Sequence, residues 1–277
     1  MAVDLLTDLA GEIDLRIGSV EDASAVEAAF AAVAPRTVVW CAGHNQAASG
    51  LMASGETDTA RSLLVNGGGF FAVLDAARRH GVQRVVAAGS VVVYGPAHLY
   101  ARPRIQEDAP LCPTTGYGLA KCLSEQIGNY FRHRYALEVV SLRLAVVLGS
   151  GRWYGGVAQL LSRMLADARS GAWARYQAPA EALDWIHARD AASAFCAALE
   201  ADHALAPAYH VSAFCARFGD LLDEIKAHFP GWHPELQEQP SPLVFPLMDC
   251  TAIERELDFC ARFDRTATIR ELVAVRS

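Results

Sequence analysis

Tyr117-Gly118-Leu119-Ala120-Lys121 sets a phenol and an ammonium four residues apart, in a chain of 277 residues with only two lysines. Residues i and i+4 of a helix share one face, so this spacing puts the ammonium beside the phenol. A positive charge there favours the tyrosinate and draws a phenol from its ordinary pKa of about 10 toward the working pH. A Tyr tuned in this way can take a proton from a substrate hydroxyl or return one to a carbonyl oxygen.

Outward from this segment, short apolar strand-like runs alternate with longer helical ones. Gly116–Tyr135 reads as a helix and residues 137–148 as a buried strand. Upstream, residues 12–18 read as a strand, 22–33 as a helix with acidic residues in its first turn, and 36–42 (RTVVWCA) as a strand apolar on both faces. Residues 57–80 form a long helix stopped by Gly81, and 82–89 the next strand, followed by a Pro-rich loop over 96–113. Downstream come helices over 157–169, 188–201, Phe218–His228 and Thr251–Leu257, with strands at 184–187 and 208–212. Such βα alternation predicts an α/β fold, a doubly wound parallel sheet with helices on both faces. Residues 1–150, with 184–212 returning to them, would form the sheet domain. Residues 151–183 and 213–277 would form a small, mostly helical substrate lobe.

Composition narrows the function classes. The formal charge is −7 and no basic stretch stands out, so neither nucleic acid nor an anionic membrane is expected as a partner. No apolar run approaches the roughly 18 residues of a membrane span, and no charged and apolar leader opens the chain. A cytoplasmic setting follows as the expectation. Seven cysteines include no CxxC pair and mostly have apolar neighbours, the pattern of small buried hydrophobes in a reducing compartment, with no metal site.

Other segments fall into register with the Tyr–Lys pair. Val39-Trp40-Cys41-Ala42-Gly43 ends one strand, Asn66-Gly67-Gly68-Gly69-Phe70 lies within the following helix, and Ser90-Val91-Val92-Val93-Tyr94-Gly95 follows another strand. Leu142-Arg143-Leu144 precedes Gly149-Ser150-Gly151, and Asp184-Trp185-Ile186-His187-Ala188-Arg189-Asp190 comes later. In this order the chain, over about residues 12 to 215, resembles the extended short-chain dehydrogenase/reductases, the NAD-dependent epimerase/dehydratase group. The resemblance implies a Rossmann-like fold and NAD or NADP as cofactor. It implies oxidoreductase or isomerase chemistry on a small-molecule substrate, a secondary alcohol or carbonyl of a sugar-like or other small polar compound. Tyr117 would be the acid/base, Lys121 would lower its pKa and hold the nicotinamide ribose, and Ser90 would orient the reacting oxygen. Ala42 and Gly43 would pass close to the cofactor, and Asn66 would brace the helix beside it. His44, Val92 and Arg152 are candidate substrate contacts. Helices 57–80 and 116–135 would pair in a homodimer, as they do in many relatives.

The sequence departs from that pattern at its start. The family opens with a strand, a GxxGxxG turn and a helix that receive the pyrophosphate. Here the first recognisable strand corresponds to the family's third, some forty to fifty residues on. The apolar strand 36–42 would then lie at an edge, a pairing hazard. Strand 12–18 could close it, another subunit could cover it, or the coding sequence could begin upstream. Ser19 stands where the family usually has an adenine-binding Asp, and Val146 where nucleotide-sugar members often have Asn. A second class of function therefore stays open: a cofactor-free relative that acts as a binding or scaffolding module. Gly149-Ser150-Gly151-Arg152-Trp153-Tyr154-Gly155 mimics a dinucleotide loop but has no acidic residue ending a strand about twenty positions on. Arg152 and Arg175 offer bidentate contacts to an anionic substrate, and His187 reads as a packed structural residue.

Overall fold

A computed structural model of the chain describes residues 12–151 and 154–275. In chain order the N-terminal half contains α1 (Ala23–Val33), β1 (Thr37–Trp40), α2 (Leu51–Thr57), α3 (Thr59–Leu63), a π-helical turn (Leu64–Gly69), α4 (Phe70–Arg79), β2 (Arg84–Ser90), β3 (Arg104–Ile105), α5 (Gly116–Tyr135), β4 (Glu138–Leu144) and β5 (Val146–Leu148). There follow α6 (Gln159–Ser170), β6 (Arg175–Pro179), β7 (Leu183–His187), α7 (Ala188–Glu200), β8 (Ala208–Val211), β9 (Phe214–Ala216), α8 (Phe218–His228), β10 (Glu235–Gln239), β11 (Leu247–Met248), α9 (Thr251–Leu257) and α10 (Arg265–Ala274).

The main sheet has the order β1-β2-β4-β8 and is parallel throughout, with Val85 beside Val38 on one side and Val139 on the other. Successive strand residues face opposite ways. Val85, Ala87 and Val139 accordingly pack with Phe30 of α1, Phe70 and Leu74 of α4 and Phe131 of α5. Val86, Val140 and Leu142 pack on the other face with Ala191 and Ala194 of α7 and Ile253 of α9. This is the α/β doubly wound arrangement of the Rossmann type. A further core gathers Trp185, Tyr176, Met164, Phe218 and Ile225 around β5-β7-β9 and β6-β10.

Local signals account for the helix ends. Asp22 caps α1 by accepting from the amides of Ser24 and Ala25, and Thr115 caps α5 by accepting from Gly118 N at 3.0 Å. Gly81 follows α4 at φ +69, a conformation that needs glycine.

Four expectations are corrected. Residues 12–18 form no strand: they run as a turn and irregular chain, with Ile17 82% exposed. Apolar alternation there finds no sheet partner among the described residues. Among the described residues β1 therefore pairs with β2 alone, and it is not buried on both faces, since Val39 is 44% exposed. The long helix expected over 57–80 starts at Thr59, because Asp58 ends α2 and caps α3 by accepting from Arg61 N at 3.0 Å, and it runs to Arg79 through the π-helical turn. The strand over 137–148 is two strands, since Ala145 bonds to Val211 and the chain then leaves β4 for a different sheet at β5. Strands β6, β9 and β10 and helices α2 and α10 were not anticipated from the pattern.

The contact that seats the candidate site is between α2 and the start of α5. A Cβ on Gly116 would lie 2.1 Å from Gly55 O, and one on Gly55 would lie 2.5 Å from Tyr117 N. Gly67 likewise lies under Leu123 of α5, which accounts for a glycine there by close packing, whereas a Cβ on Gly68 would meet nothing within 4 Å. Gly116→Ala should therefore cost about 1–3 kcal/mol, the usual size for overpacking. Gly68→Ala should be neutral or stabilising by up to about 1 kcal/mol. Urea midpoints of the two variants measure the contrast.

Candidate active site

The carboxyl end of β2, the first turns of α5 and the loop after β1 converge. Ser90 ends β2, its hydroxyl accepts from Val92 N at 3.4 Å, and it stands near enough to the Tyr117 phenol to favour the charged form. Tyr117 sits in the first turn of α5 and is 7% exposed. Lys121, one turn on and 4% exposed, donates from Nζ to Ala88 O at 2.7 Å and lies 5.7 Å from the centroid of the Tyr117 ring. The structure thus brings Ser90, Tyr117 and Lys121 into one cluster.

Its electrostatics differ from the simple expectation. Burial pushes the Tyr117 phenol well above its ordinary value, the Tyr154 phenol adds to that rise, and Ser90 opposes it. Lys121 is not what sets the phenol. Burial lowers the ammonium itself to about 8, with Cys41 and Glu125 holding it up against a larger fall. Nζ is committed to a main-chain carbonyl and sits over the ring, and burial of the phenol decides the direction of its shift.

The remaining candidates surround this cluster. Asn66 is fully buried in the π-helical turn, where Nδ2 donates to Ser62 O at 3.0 Å and its main-chain O accepts from Ser124 Oγ at 2.8 Å. Its Oδ1 has no hydrogen-bond partner, and a Cβ on Gly43 would lie 3.9 Å from it. Ala42 and Gly43 therefore pass the same spot at the end of β1. His44 lies 4.0 Å from the Asp58 carboxylate. Val92 is buried in the turn after Ser90, its carbonyl 2.3 Å from where a Cβ on Gly118 would stand. Arg152 lies outside the described residues. Arg175 is elsewhere, on β6, paired with Glu235 at 2.7 Å. His187 is structural as expected, stacked on Phe263 at 4.1 Å with Nε2 3.3 Å from Glu271.

Three neighbours were not picked out from the sequence. Tyr154 acts on the Tyr117 phenol, Cys41 faces Lys121, and Glu125 lies one turn beyond Lys121. Of these only Glu125 carried a usable signal, as a second i+4 step on the face of Tyr117 and Lys121.

A sequence profile described as the NAD dependent epimerase/dehydratase family matches residues 4–212. The chain belongs to this family. Uronate dehydrogenase of Pseudomonas putida is 40% identical over 77 residues, 27% of this chain and 28% of that protein. The match thus spans well under half the length of that curated relative. The Bordetella bronchiseptica enzyme WbmG, solved in complex with NAD and UDP, superposes with a TM-score of 0.77 at 23% identity, covering 94% of this chain and 78% of its own. L-threonine dehydrogenase from Phytophthora infestans superposes with a TM-score of 0.82 at 20% identity, covering 97% and 87%. These structures share the fold with the epimerase/dehydratase chain.

The nicotinamide end of a dinucleotide fits the observed donors and acceptors. The buried Asn66 Oδ1, without a hydrogen-bond partner, faces Gly43 after β1, while the Lys121 ammonium and the Tyr117 phenol lie on the first turns of α5 with Ser90 nearby. The described residues hold no glycine-turned βα unit ahead of β1 for the phosphates.

Lys121 also leaves a mark on stability. Folded, it keeps its proton up to about pH 8; unfolded, up to its ordinary 10.5. Between those values the unfolded chain binds more protons, so this residue makes stability rise with pH, by on the order of 3 kcal/mol. Lys121→Met should flatten that rise and be no less stable than the parent at neutral pH. Denaturant midpoints at pH 7, 8, 9 and 10 test both expectations.

Proposed function

We propose that the protein is an NAD- or NADP-dependent oxidoreductase or epimerase acting on a secondary alcohol or carbonyl of a sugar-like or small polar substrate. The observation that carries this reading is the convergence of Ser90 at the end of β2, the buried Tyr117 phenol and the Lys121 ammonium, whose Nζ lies 5.7 Å from the centroid of the Tyr117 ring. The family assignment supports the reaction class. The likeness to a uronate dehydrogenase, and Val146 in place of Asn, favour a substrate without a nucleotide.

A neutral phenol is an acid waiting for a base. In the reducing direction Tyr117 gives its proton to the oxygen as negative charge develops there. Ser90 donates to the same oxygen and fixes its direction. In the oxidising direction Tyr117 accepts the hydroxyl proton, and the Lys121 charge stabilises the tyrosinate that must precede this step. A bound nicotinamide cofactor supplies the hydride acceptor or donor. Lys121 and Asn66 would hold its nicotinamide half, with Ala42 and Gly43 passing alongside. His44 and Val92, at the rim, would meet the substrate. Leu64 and Phe71 on one helical run, and Leu119, Leu123 and Tyr130 on α5, leave exposed apolar surface, which supports a homodimer through these helices. Among the described residues no helix is long and apolar enough to cross a membrane.

A second reading has its own observation. Among the described residues nothing pairs with the outer edge of β1 and no glycine turn precedes it, which favours a cofactor-free binding or scaffolding module. Calorimetric titration with the oxidised and reduced forms of both cofactors decides between them. Saturable micromolar binding supports the enzyme, and no binding at millimolar cofactor supports the module. Given binding, Tyr117→Phe should lose at least about 10² in rate while leaving cofactor affinity close to the parent's. Assays against a uronate, a nucleotide sugar and L-threonine would read that loss.

A further inference from the structure

Behind the cluster, between α5 and β4, lies a chain of buried polar groups that the chemistry above leaves unused. Glu125 Oε1 accepts from Ser141 Oγ and Arg143 Nε, each at 3.0 Å, and its Oε2 accepts from Arg143 Nη2 at 2.7 Å. Arg143 Nη1 donates to the Tyr94 hydroxyl and to Glu107 O at 2.8 Å. The Tyr94 hydroxyl pairs with His210 Nε2 at 2.6 Å, and His210 Nδ1 lies 3.0 Å from Asp249 O. Both carboxylate oxygens are therefore engaged, and the ion pair is buried on both sides. Such a pair persists only when its remaining lone pairs and protons find partners. Its cost asks for a use.

Tyr117, Lys121 and Glu125 follow one another at i, i+4 and i+8 along α5. The last two both line a cavity of about 20 Å³, with Ser124, Ser141 and the Ala88 and Gly89 segment on its polar side and Trp40, Phe70 and Val139 on its apolar side. That volume exceeds the roughly 10–15 Å³ a water needs, and the four polar side chains Lys121, Ser124, Glu125 and Ser141 line it. We propose that Glu125 is a positioning residue for Lys121: fixed by Arg143 one helical turn away and across a one-water cavity, its carboxylate keeps the buried ammonium charged and directed. The inference rests on reading Tyr117 and Lys121 as the reacting pair.

The groups around the ammonium can be named from each side. Tyr117, Ser124 and Glu125 come from α5, Cys41 from just past β1, the Ala88 carbonyl from β2 and Ser141 from β4. Of these, Glu125 and Cys41 are the two that oppose the loss of the lysine's proton. The Cys41 thiol itself is raised by burial, so at neutral pH the fixed negative charge is the carboxylate.

With only Lys121 and Lys226 in the chain, protein labelled at the lysine ε position gives two resonances, and Lys226→Arg assigns them. In Glu125→Gln the Lys121 midpoint should fall by at least about one pH unit, the usual size for loss of a close opposite charge. The Lys226 signal and the unfolding temperature report whether the fold survives. Because that variant strands the Arg143 charge, Glu125→Gln with Arg143→Met removes both, and its midpoint should fall by a smaller amount. A Lys121 midpoint unchanged in a folded variant of either kind overturns the proposal. A purely structural pair would change stability without moving that midpoint. Failure of the enzymatic reading would show instead as absent cofactor binding, which leaves these midpoints untouched.

Discussion

The removal of one ammonium from water sets the terms for the rest of this structure. Lys121 can be buried only because Ala88 offers a carbonyl, because Glu125 lies on the next turn, and because α5 sits tightly on β2. That seating depends in turn on Gly55 and Gly116, which let α2 touch the start of α5 with no side chain between them. The same dryness that makes the lysine expensive keeps the Tyr117 phenol protonated, with Ser90 nearby. Stability is surrendered where reactivity is gathered, as strained or desolvated sites generally require.

Much of this was legible in advance, and the reason differs by region. Helix α5 and strands β2 and β7 announced themselves because burial on a regular element leaves a strict period, and the Tyr117–Lys121 spacing carries its own geometry. Ser90 was legible only through the family resemblance, in which its segment after a buried strand falls into register with the Tyr–Lys pair. The misreadings share a cause. Alternating apolar residues at 12–18 have the look of a strand, yet a strand exists only through a neighbour, and nothing local encodes one. The split at Ala145 arises from tertiary pairing, and the start of α3 at Thr59 from a side-chain cap that propensity does not register. The expected fall in the Tyr117 pKa was wrong in sign, because sequence spacing conveys a charge nearby but says nothing of how much water has left.

The buried pair of Glu125 and Arg143 shows how a site can extend beyond the groups that touch a substrate. Its members come from a helix and a strand eighteen residues apart, and their partners reach His210 and Asp249 in the C-terminal half. The sheet is thereby tied to the loop before α9 by hydrogen bonds as well as by apolar packing. Satisfied networks of this kind define one arrangement of their elements, since any slip strands a charge.

The π-helical turn at Leu64–Gly69 carries a last implication. A wider turn amounts to one additional residue in the helical ladder. Every side chain after it is rotated by about 100° relative to an uninterrupted α-helix, the angle subtended by one residue. Phe70, Val73 and Leu74 reach the core only with that offset in place. Excising a single residue from the turn would restore ideal winding and yet swing the whole of α4 out of phase with the sheet. Point substitutions in this stretch can be absorbed side chain by side chain, but the length of the stretch is not negotiable.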